Sequence, residues 1–127
     1  MLDTIIRVPD SRHEIIVEPN TDHVVVVAGG KVIADTHRAL SLREAGRPSV
    51  LYIPRRDVDM GALRPSETSR YCPYKGEASF FSIVDEEGEC VADGAWIYGV
   101  PHWAVCEIED HVAFDPERVG RIQIAAC

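Results

Sequence analysis

The sequence lacks a long hydrophobic segment. Its longest aliphatic run extends only from Val24 to Ala28, whereas a helix that crosses a membrane needs about 20 apolar residues. No stretch near the N-terminus joins a basic start to an apolar core, the pattern of an export signal. We therefore expect a soluble, cytoplasmic protein that does not act at a membrane.

Paired cysteines are also missing. The chain has four widely separated cysteines and no Cys-x-x-Cys motif: Cys72, Cys90, Cys106 and Cys127. A structural zinc site needs four convergent ligands, which such pairs usually supply. We therefore predict no metal and no other cofactor. Because a core of this size is adequate without cross-links, we also expect all four thiols to be reduced.

Positive charge is scarce in the chain as a whole. Thirteen Lys and Arg residues stand against 21 Asp and Glu residues, a net charge of −8. Such a surface repels nucleic acid and anionic lipid, so we expect neither as a partner. The segment 37–75 is the exception, because its eight basic and four acidic residues give it a charge of +4 and leave −12 to the remainder. This basic segment is where an anionic ligand would bind.

Nothing in the sequence divides it into parts. The chain has 127 residues, of which 46% are hydrophobic and 27% charged, as is typical of a globular domain. It contains no repeat, low-complexity tract or linker-like stretch. We expect a single domain over residues 1–127, with about 1–12 and 121–127 peripheral. The sequence leaves homo-oligomerisation open.

Short runs rich in β-branched and aromatic residues predict a mainly β protein. Gly29-Gly30 lies between two such runs and favours a tight hairpin turn, because glycine adopts the positive φ angles that this turn requires. Strands are expected at residues 14–18, 23–28, 50–53, 71–74, 78–84, 89–92, 95–98 and 122–125.

Two short helical segments complete this prediction. Apolar residues in segment 36–45, followed by Gly46 and Pro48, predict a helix of about two turns, and residues 115–120 resemble one capped helical turn. Helices long enough for parallel crossover connections are missing from the pattern. The expected fold is therefore a single domain of short antiparallel strands, arranged as a sheet or a sandwich-like structure with one or two short helices.

Residues 63–76 hold the densest group of reactive side chains, and we expect them to form a loop. Ser66 and Thr68 offer neutral hydrogen-bond donors, and Lys75 offers a charged one, which together suit a phosphate or carboxylate. The alternative is a surface turn in which the two hydroxyls bond to their own backbone.

Two candidate catalytic centres lie in the basic segment. Cys72 is a candidate nucleophile, because nearby Lys75 and Arg70 favour the thiolate; its alternative is a buried structural cysteine. Asp57 and Asp59 would face the same side of a strand and are the candidate metal-binding pair for phosphoryl transfer. An Asp-x-Asp pattern also arises by chance in an acidic protein.

Trp96 and Tyr98 are two residues apart and share one face of a regular strand. Such rings either belong to the core or line a ligand pocket. The functional hypothesis is a pair of rings that lines a pocket beside Lys75.

A set of short motifs in a fixed order carries a resemblance to a known family. They are Ala34-Asp35, Arg38-Ala39-Leu40, Leu42-Arg43-Glu44, Pro48, the run from Tyr52 to Val58, Pro65-Ser66, Thr68, Cys72-Pro73-Tyr74-Lys75-Gly76, Ala78-Ser79, Ala95-Trp96, Tyr98, Pro101 and the run from His111 to Phe114. The chain resembles domain-of-unknown-function family 427, a bacterial family that also bears a nucleotidyltransferase-like label. The resemblance implies a mainly β fold similar to the tent-like arrangement of the Mss4-like proteins, and it implies no established reaction.

Three functional hypotheses follow. The leading one is a small binding domain for an anionic small molecule, either nucleotide-like or a phosphate or carboxylate, with ligand-binding residues Arg38, Arg55, Ser66, Thr68, Lys75, Trp96 and Tyr98. Arg38 is included because a cation at the start of the predicted helix opposes the helix dipole and is better explained by a bound anion. The alternatives are an enzyme, nucleotidyltransferase-like or dependent on Cys72, and a protein interaction module.

Overall fold

The computed structural model describes residues 5–85, 88–118 and 121–125. Ten strands lie in these residues: β1 Ile15–Asn20, β2 His23–Ala28, β3 Lys31–Thr36, β4 Ala39–Glu44, β5 Val50–Pro54, β6 Leu63–Cys72, β7 Gly76–Asp85, β8 Gly88–Tyr98, β9 His111–Phe114 and β10 Arg121–Ala125. Short 3-10 segments occupy Arg55–Asp57, Met60–Ala62 and Trp103–Ile108. The helical segments of this part of the chain are all too short or too polar to cross a membrane.

The strands form two antiparallel sheets. Seven strands lie in the order β1-β4-β5-β9-β8-β7-β6, and three lie in the order β10-β2-β3. Every strand pair is antiparallel. The mainly β, antiparallel fold predicted from the sequence is therefore confirmed.

Alternation along the strands places a hydrophobic cluster on each face of the large sheet. In β5, Ile53 packs into a cluster with Val24 and Val26 of the small sheet, while its neighbour Tyr52 packs into a second cluster on the opposite face. Val105 and Ile108, from the 3-10 segment after β8, belong to this second cluster. The side chains of successive residues point to opposite faces of a strand. The large sheet therefore contributes side chains to two hydrophobic clusters, one on each face.

The hairpin predicted at Gly29-Gly30 is confirmed. These glycines connect β2 to β3 with φ angles of 60° and 75°. Both angles lie in the left-handed region that glycine occupies without steric cost.

The helix predicted over residues 36–45 is wrong. Ala39–Glu44 is strand β4, which pairs with β1 and with β5. Leu42 and Glu44 are buried on one face of the strand, whereas Arg43 on the other face is exposed. This alternation runs over only a few residues and includes a buried glutamate, so the sequence pattern is as compatible with a short amphipathic helix as with a strand.

The loop predicted over residues 63–76 is wrong for most of its length, since residues 63–72 form edge strand β6. Its register against β7 shifts between Pro65 and Ser69, which marks an irregular stretch in the strand. Proline is tolerated here because β6 is at the edge of the sheet. The capped turn predicted at residues 115–120 lies partly outside the described residues, which end at 118 in this segment. Within the described part, the Asp115 side chain accepts a hydrogen bond from the backbone N–H of Glu117.

Candidate functional site

The residues selected from the sequence lie in five places rather than one. Arg38 and Asp57 line one cleft, Arg55 and Tyr98 line another, and Ser66 and Thr68 lie on edge strand β6. Asp59 lies apart from these, at the start of the segment Met60–Ala62. A buried polar group is surrounded by Cys72, Lys75, Trp96 and Tyr98. The structure therefore brings together the ring pair and Lys75, and it separates them from Arg38.

The buried polar group is built around Glu44, which ends strand β4. Lys75 Nζ donates to Glu44 Oε1 over 2.8 Å, and His13 Nε2 donates to Glu44 Oε2 over 2.7 Å. The Lys75 and Glu44 side chains are only 11% and 4% exposed. Charged side chains are rarely buried unless they are paired, so this ion pair fixes the turn between β6 and β7 onto β4.

Burial and the neighbouring cations have opposite effects on the pKa of the Glu44 carboxyl. Burial acts to raise the pKa of the carboxyl, but hydrogen bonds from Lys75 and His13, together with the charges of Lys75 and Arg47, outweigh it. The pKa of Glu44 is therefore held below its ordinary value, and the carboxylate is ionised at neutral pH.

Aromatic rings line the same group. Lys75 Nζ lies 5.9 Å from the ring centre of Tyr98, whose ring is 6.5 Å from that of Tyr52. Trp96 Nε1 donates to the Tyr52 hydroxyl over 3.4 Å. Burial raises the pKa of Tyr52 to about 12 and also raises the pKa of Tyr98. Cys72 packs half-buried against this cluster, in the position expected of a structural cysteine.

Sequence reasoning missed three members of this group: His13, Glu44 and Tyr52. The sequence predicts a helix for the segment that contains Glu44. Residues two apart, such as Leu42 and Glu44, share a face in a strand but not in a helix, so this prediction hides their common burial. Tyr52 lies in a predicted strand and was detectable only as a core residue. His13 has no sequence signal, because its contact with Glu44 depends on a pairing across 31 residues.

The cleft around Arg38 has a volume of about 450 Å³, and we call it the arginine cleft. Its lining residues are Asp35, Thr36, His37, Arg38, Arg56 and Asp57. Thr36 organises the cleft, because its hydroxyl donates to Asp57 over 2.7 Å and accepts from the backbone N–H of Arg38 over 2.9 Å. The helix-dipole argument for Arg38 does not apply, since Arg38 lies in the turn between β3 and β4.

The cleft around Arg55 has a volume of about 430 Å³ and a different charge. It lies where β5 and β8 end and β9 begins, and its polar lining includes Arg55, Tyr98, Glu109 and Asp110. One guanidinium thus shares the space with two carboxylates. This combination does not favour a small anion.

Ser66 and Thr68 already form hydrogen bonds with a carboxylate of this chain, that of Asp93. The Thr68 hydroxyl donates to Asp93 Oδ2 over 2.7 Å, and the backbone N–H of Thr68 donates to the Ser66 hydroxyl. Hydrogen bonds from Ser66 and Thr68 lower the pKa of Asp93. The local backbone bonding that is the alternative to ligand binding is therefore present for Ser66, whereas the Thr68 hydroxyl binds a distant side chain.

Asp57 and Asp59 do not lie in a strand as expected. Asp57 ends a 3-10 segment and accepts from Thr36, whereas Asp59 caps the next segment and pairs with Lys31 over 3.3 Å. Their partners lie at opposite ends of β3, about 16 Å apart for a strand of this length. In the described part of the chain, no three His, Cys, Asp or Glu side chains are grouped as metal ligands.

Comparison with known proteins agrees with the motifs in the sequence. A family profile described as domain of unknown function DUF427 matches residues 16–124. No curated protein sequence matches the chain. The matched range includes every strand of the large sheet and both clefts, apart from the first residue of β1. The chain belongs to the DUF427 family.

Proposed function

We propose that the protein is a small-molecule binding domain whose arginine cleft takes an anion bearing a phosphate or carboxylate group. The observation that carries the proposal is that Arg38 and Arg56 line the same cleft without an ion pair to a carboxylate of the described residues. Both side chains belong to exposed residues. Their planar guanidinium groups suit bidentate binding of either anion.

The two carboxylates of the cleft have partners of their own. Asp35 accepts from His23 over 2.7 Å, and Asp57 accepts from Thr36 over 2.7 Å. These bonds orient both carboxylates toward donors other than the two guanidinium groups. Arg38 and Arg56 therefore keep their donors available to an incoming anion.

Other cations of the basic segment are less suited to this role. Arg43 pairs with Glu18 over 2.7 Å, and Lys75 is buried against Glu44. A ligand would have to displace a carboxylate at either place. We therefore assign to Arg56 the anion-binding role that the sequence suggests for Lys75, and we retain that role for Arg38.

The test is a thermal-shift screen with inorganic phosphate, pyrophosphate, citrate and nucleoside monophosphates. At a hundred times its dissociation constant, a bound anion adds about 2.7 kcal/mol to the free energy of unfolding. Arg38→Ala and Arg56→Ala should each abolish the shift. Arg43→Ala is the matched control, because it removes an exposed arginine of the same segment from outside the cleft.

Two results would contradict the proposal. If none of the anions raises the melting temperature of the wild-type protein, the arginine cleft does not bind small anions and a protein-docking role gains support. If all three variants lose the shift equally, the anion responds to diffuse surface charge rather than to the cleft.

A further inference from the structure

The segment before β1 lies across the turn between β6 and β7, and we call residues 5–13 the strap. The backbone N–H of Arg7 donates to the Pro73 carbonyl over 2.9 Å, and the Tyr71 hydroxyl donates to the Ile5 carbonyl over 2.6 Å. At its other end, Asp10 and His13 close a turn within the strap, and the His13 ring contacts Glu44 and Tyr74. The strap therefore touches the body of the protein near residues 5–7 and at residue 13.

The apolar side chains of the strap contribute little to its attachment. Ile5, Ile6 and Val8 are 57%, 59% and 56% exposed. Burial of apolar surface is the main source of stability in a folded chain. Because the strap buries so little of its own, the contacts of His13 are its principal anchor.

His13 occupies a position with two well-defined walls. Its ring lies parallel to that of Tyr74, with ring centres 4.0 Å apart and an angle of 6° between the planes. Its Nε2 lies 2.7 Å from Glu44 Oε2, while Lys75 holds the other oxygen of the same carboxylate. We call the Tyr74 ring face and Glu44 Oε2 the His13 seat.

We propose that the His13 seat is a binding site for a flat ring that carries an N–H donor, of the imidazole class, and that the strap is its built-in competitor. The flat face of Tyr74 selects a planar group. Glu44 Oε2 selects a donor, and the bond is strengthened because the acceptor is charged. This site lies apart from the arginine cleft and disfavours the anions proposed there, because its acceptor is a carboxylate.

Burial makes the seat more selective than a similar pair on the surface. His23 also donates to a carboxylate over 2.7 Å and stacks on a second ring, that of His37, at 4.4 Å. However, Asp35 is 59% exposed at this surface pair, whereas Glu44 is 4% exposed. Water competes for the exposed carboxylate and screens its charge, so only the seat should hold a free ring.

The experiment replaces His13 with alanine and supplies the ring from solution. Imidazole is titrated into His13→Ala while the melting temperature and the amide NMR shifts around Tyr74 are followed. We expect a dissociation constant of about 1–10 mM, which lies between the values that the upper and lower per-atom limits for small ligands give for imidazole. His23→Ala is the matched control and should bind imidazole at least about tenfold more weakly, because its vacated position is open to water.

A second variant separates the seat from general effects of imidazole. Tyr74→Leu in the His13→Ala background removes the ring face and should weaken imidazole binding by about twofold to tenfold, since stacked aromatic pairs contribute about 0.5–1.5 kcal/mol beyond the area that they bury. If His13→Ala is unfolded on its own, the same titration is followed as recovery of folding. The proposal is overturned if His13→Ala neither binds imidazole nor recovers its fold, or if His23→Ala responds equally.

Competition by the strap is tested in the wild-type protein. Trypsin cleavage after Arg7 reports release of the strap, because a protease needs several residues of extended chain. Imidazole that displaces His13 should accelerate this cleavage severalfold, at concentrations well above those that saturate His13→Ala, since the strap is held at high effective concentration. An unchanged cleavage rate at saturating imidazole would refute the competitor role.

Discussion

The ion pair between Lys75 and Glu44 provides the sharpest test of the structure. Replacing Lys75 with methionine keeps an unbranched side chain of similar length and removes the ammonium group. Glu44 then remains 4% exposed at its side chain with only His13 as a partner. The substitution therefore leaves a buried carboxylate without its main compensating charge.

The size of the effect follows from burial. Breaking a buried ion pair from one side costs about 3–5 kcal/mol, because the remaining charge stays desolvated. For a domain of this size, that loss lowers the melting temperature by roughly 10–20 °C. Removal of both charges should cost much less, since the double variant Lys75→Met/Glu44→Leu leaves no buried charge behind.

The assay is urea unfolding at neutral pH, with Lys31→Met as the matched control. Lys31 also pairs with a carboxylate, that of Asp59 over 3.3 Å, but the two side chains are 63% and 45% exposed. An exposed pair of this kind contributes about 0–1 kcal/mol. Equal, small losses from Lys75→Met and Lys31→Met would refute the reasoning, because they would mean that the Glu44 carboxylate is solvated.

Three further predictions use other features of the fold. The pKa of Glu44 in the folded protein lies below its ordinary value of 4.5. Its ionised carboxylate therefore adds to the free energy of unfolding above that pH, and this contribution is lost as the pH falls through the folded pKa. The stability difference between wild type and Lys75→Met should accordingly shrink as unfolding is measured from about pH 6 to about pH 3. Because burial raises the pKa of Tyr52 to about 12, the free energy of unfolding should fall as the pH rises from about 10 to about 12, and Tyr52→Phe should reduce that slope. Gly76 has a φ of +115°, and an added Cβ would lie 3.1 Å from the Val100 carbonyl oxygen. Calorimetry should therefore show that Gly76→Ala costs about 1–3 kcal/mol, whereas Gly99→Ala, which meets nothing within 4 Å, should cost less than about 0.5 kcal/mol.

The sequence predicted those parts of the fold that local chemistry determines. Val24 to Ala28 is β-branched for most of its length, and the two glycines after it permit only a tight turn before the next strand. These signals lie within a few residues of one another, so no long-range contact was needed to interpret them. Strand β2, its hairpin and the antiparallel fold class were accordingly predictable.

Strands β4 and β6 were mistaken because their environment is set by distant residues. Glu44 is buried through partners at positions 13 and 75, and an acidic residue in an apolar pattern otherwise suggests the exposed face of a helix. Segment 63–72 is rich in polar residues because β6 is an edge strand, and edge strands commonly carry charge and proline. Neither the burial of Glu44 nor the edge position of β6 can be recognised from a short segment of the sequence.

The grouping of the candidate residues could be predicted from the sequence only in part. Lys75, Trp96 and Tyr98 were expected together, and Lys75 does lie over the Tyr98 ring. Arg38 was selected for a helix that does not exist, yet it lies beside Arg56 in a cleft because the Thr36 hydroxyl holds the turn that carries it. The choice of Arg38 thus followed from its charge, whereas its position follows from a side-chain hydrogen bond that the sequence pattern does not reveal.

The two proposed sites differ in a way that their charges explain. The arginine cleft keeps its cations exposed, so an anion can reach them without displacing any part of the chain. At the His13 seat the charge is buried, and a desolvated carboxylate is costly unless every approach to it is filled. Lys75 and His13 fill these approaches in the folded protein. A ligand at the seat must therefore replace a protein group, whereas a ligand at the arginine cleft replaces only water, and the two sites should accordingly differ in their response to changes in the strap.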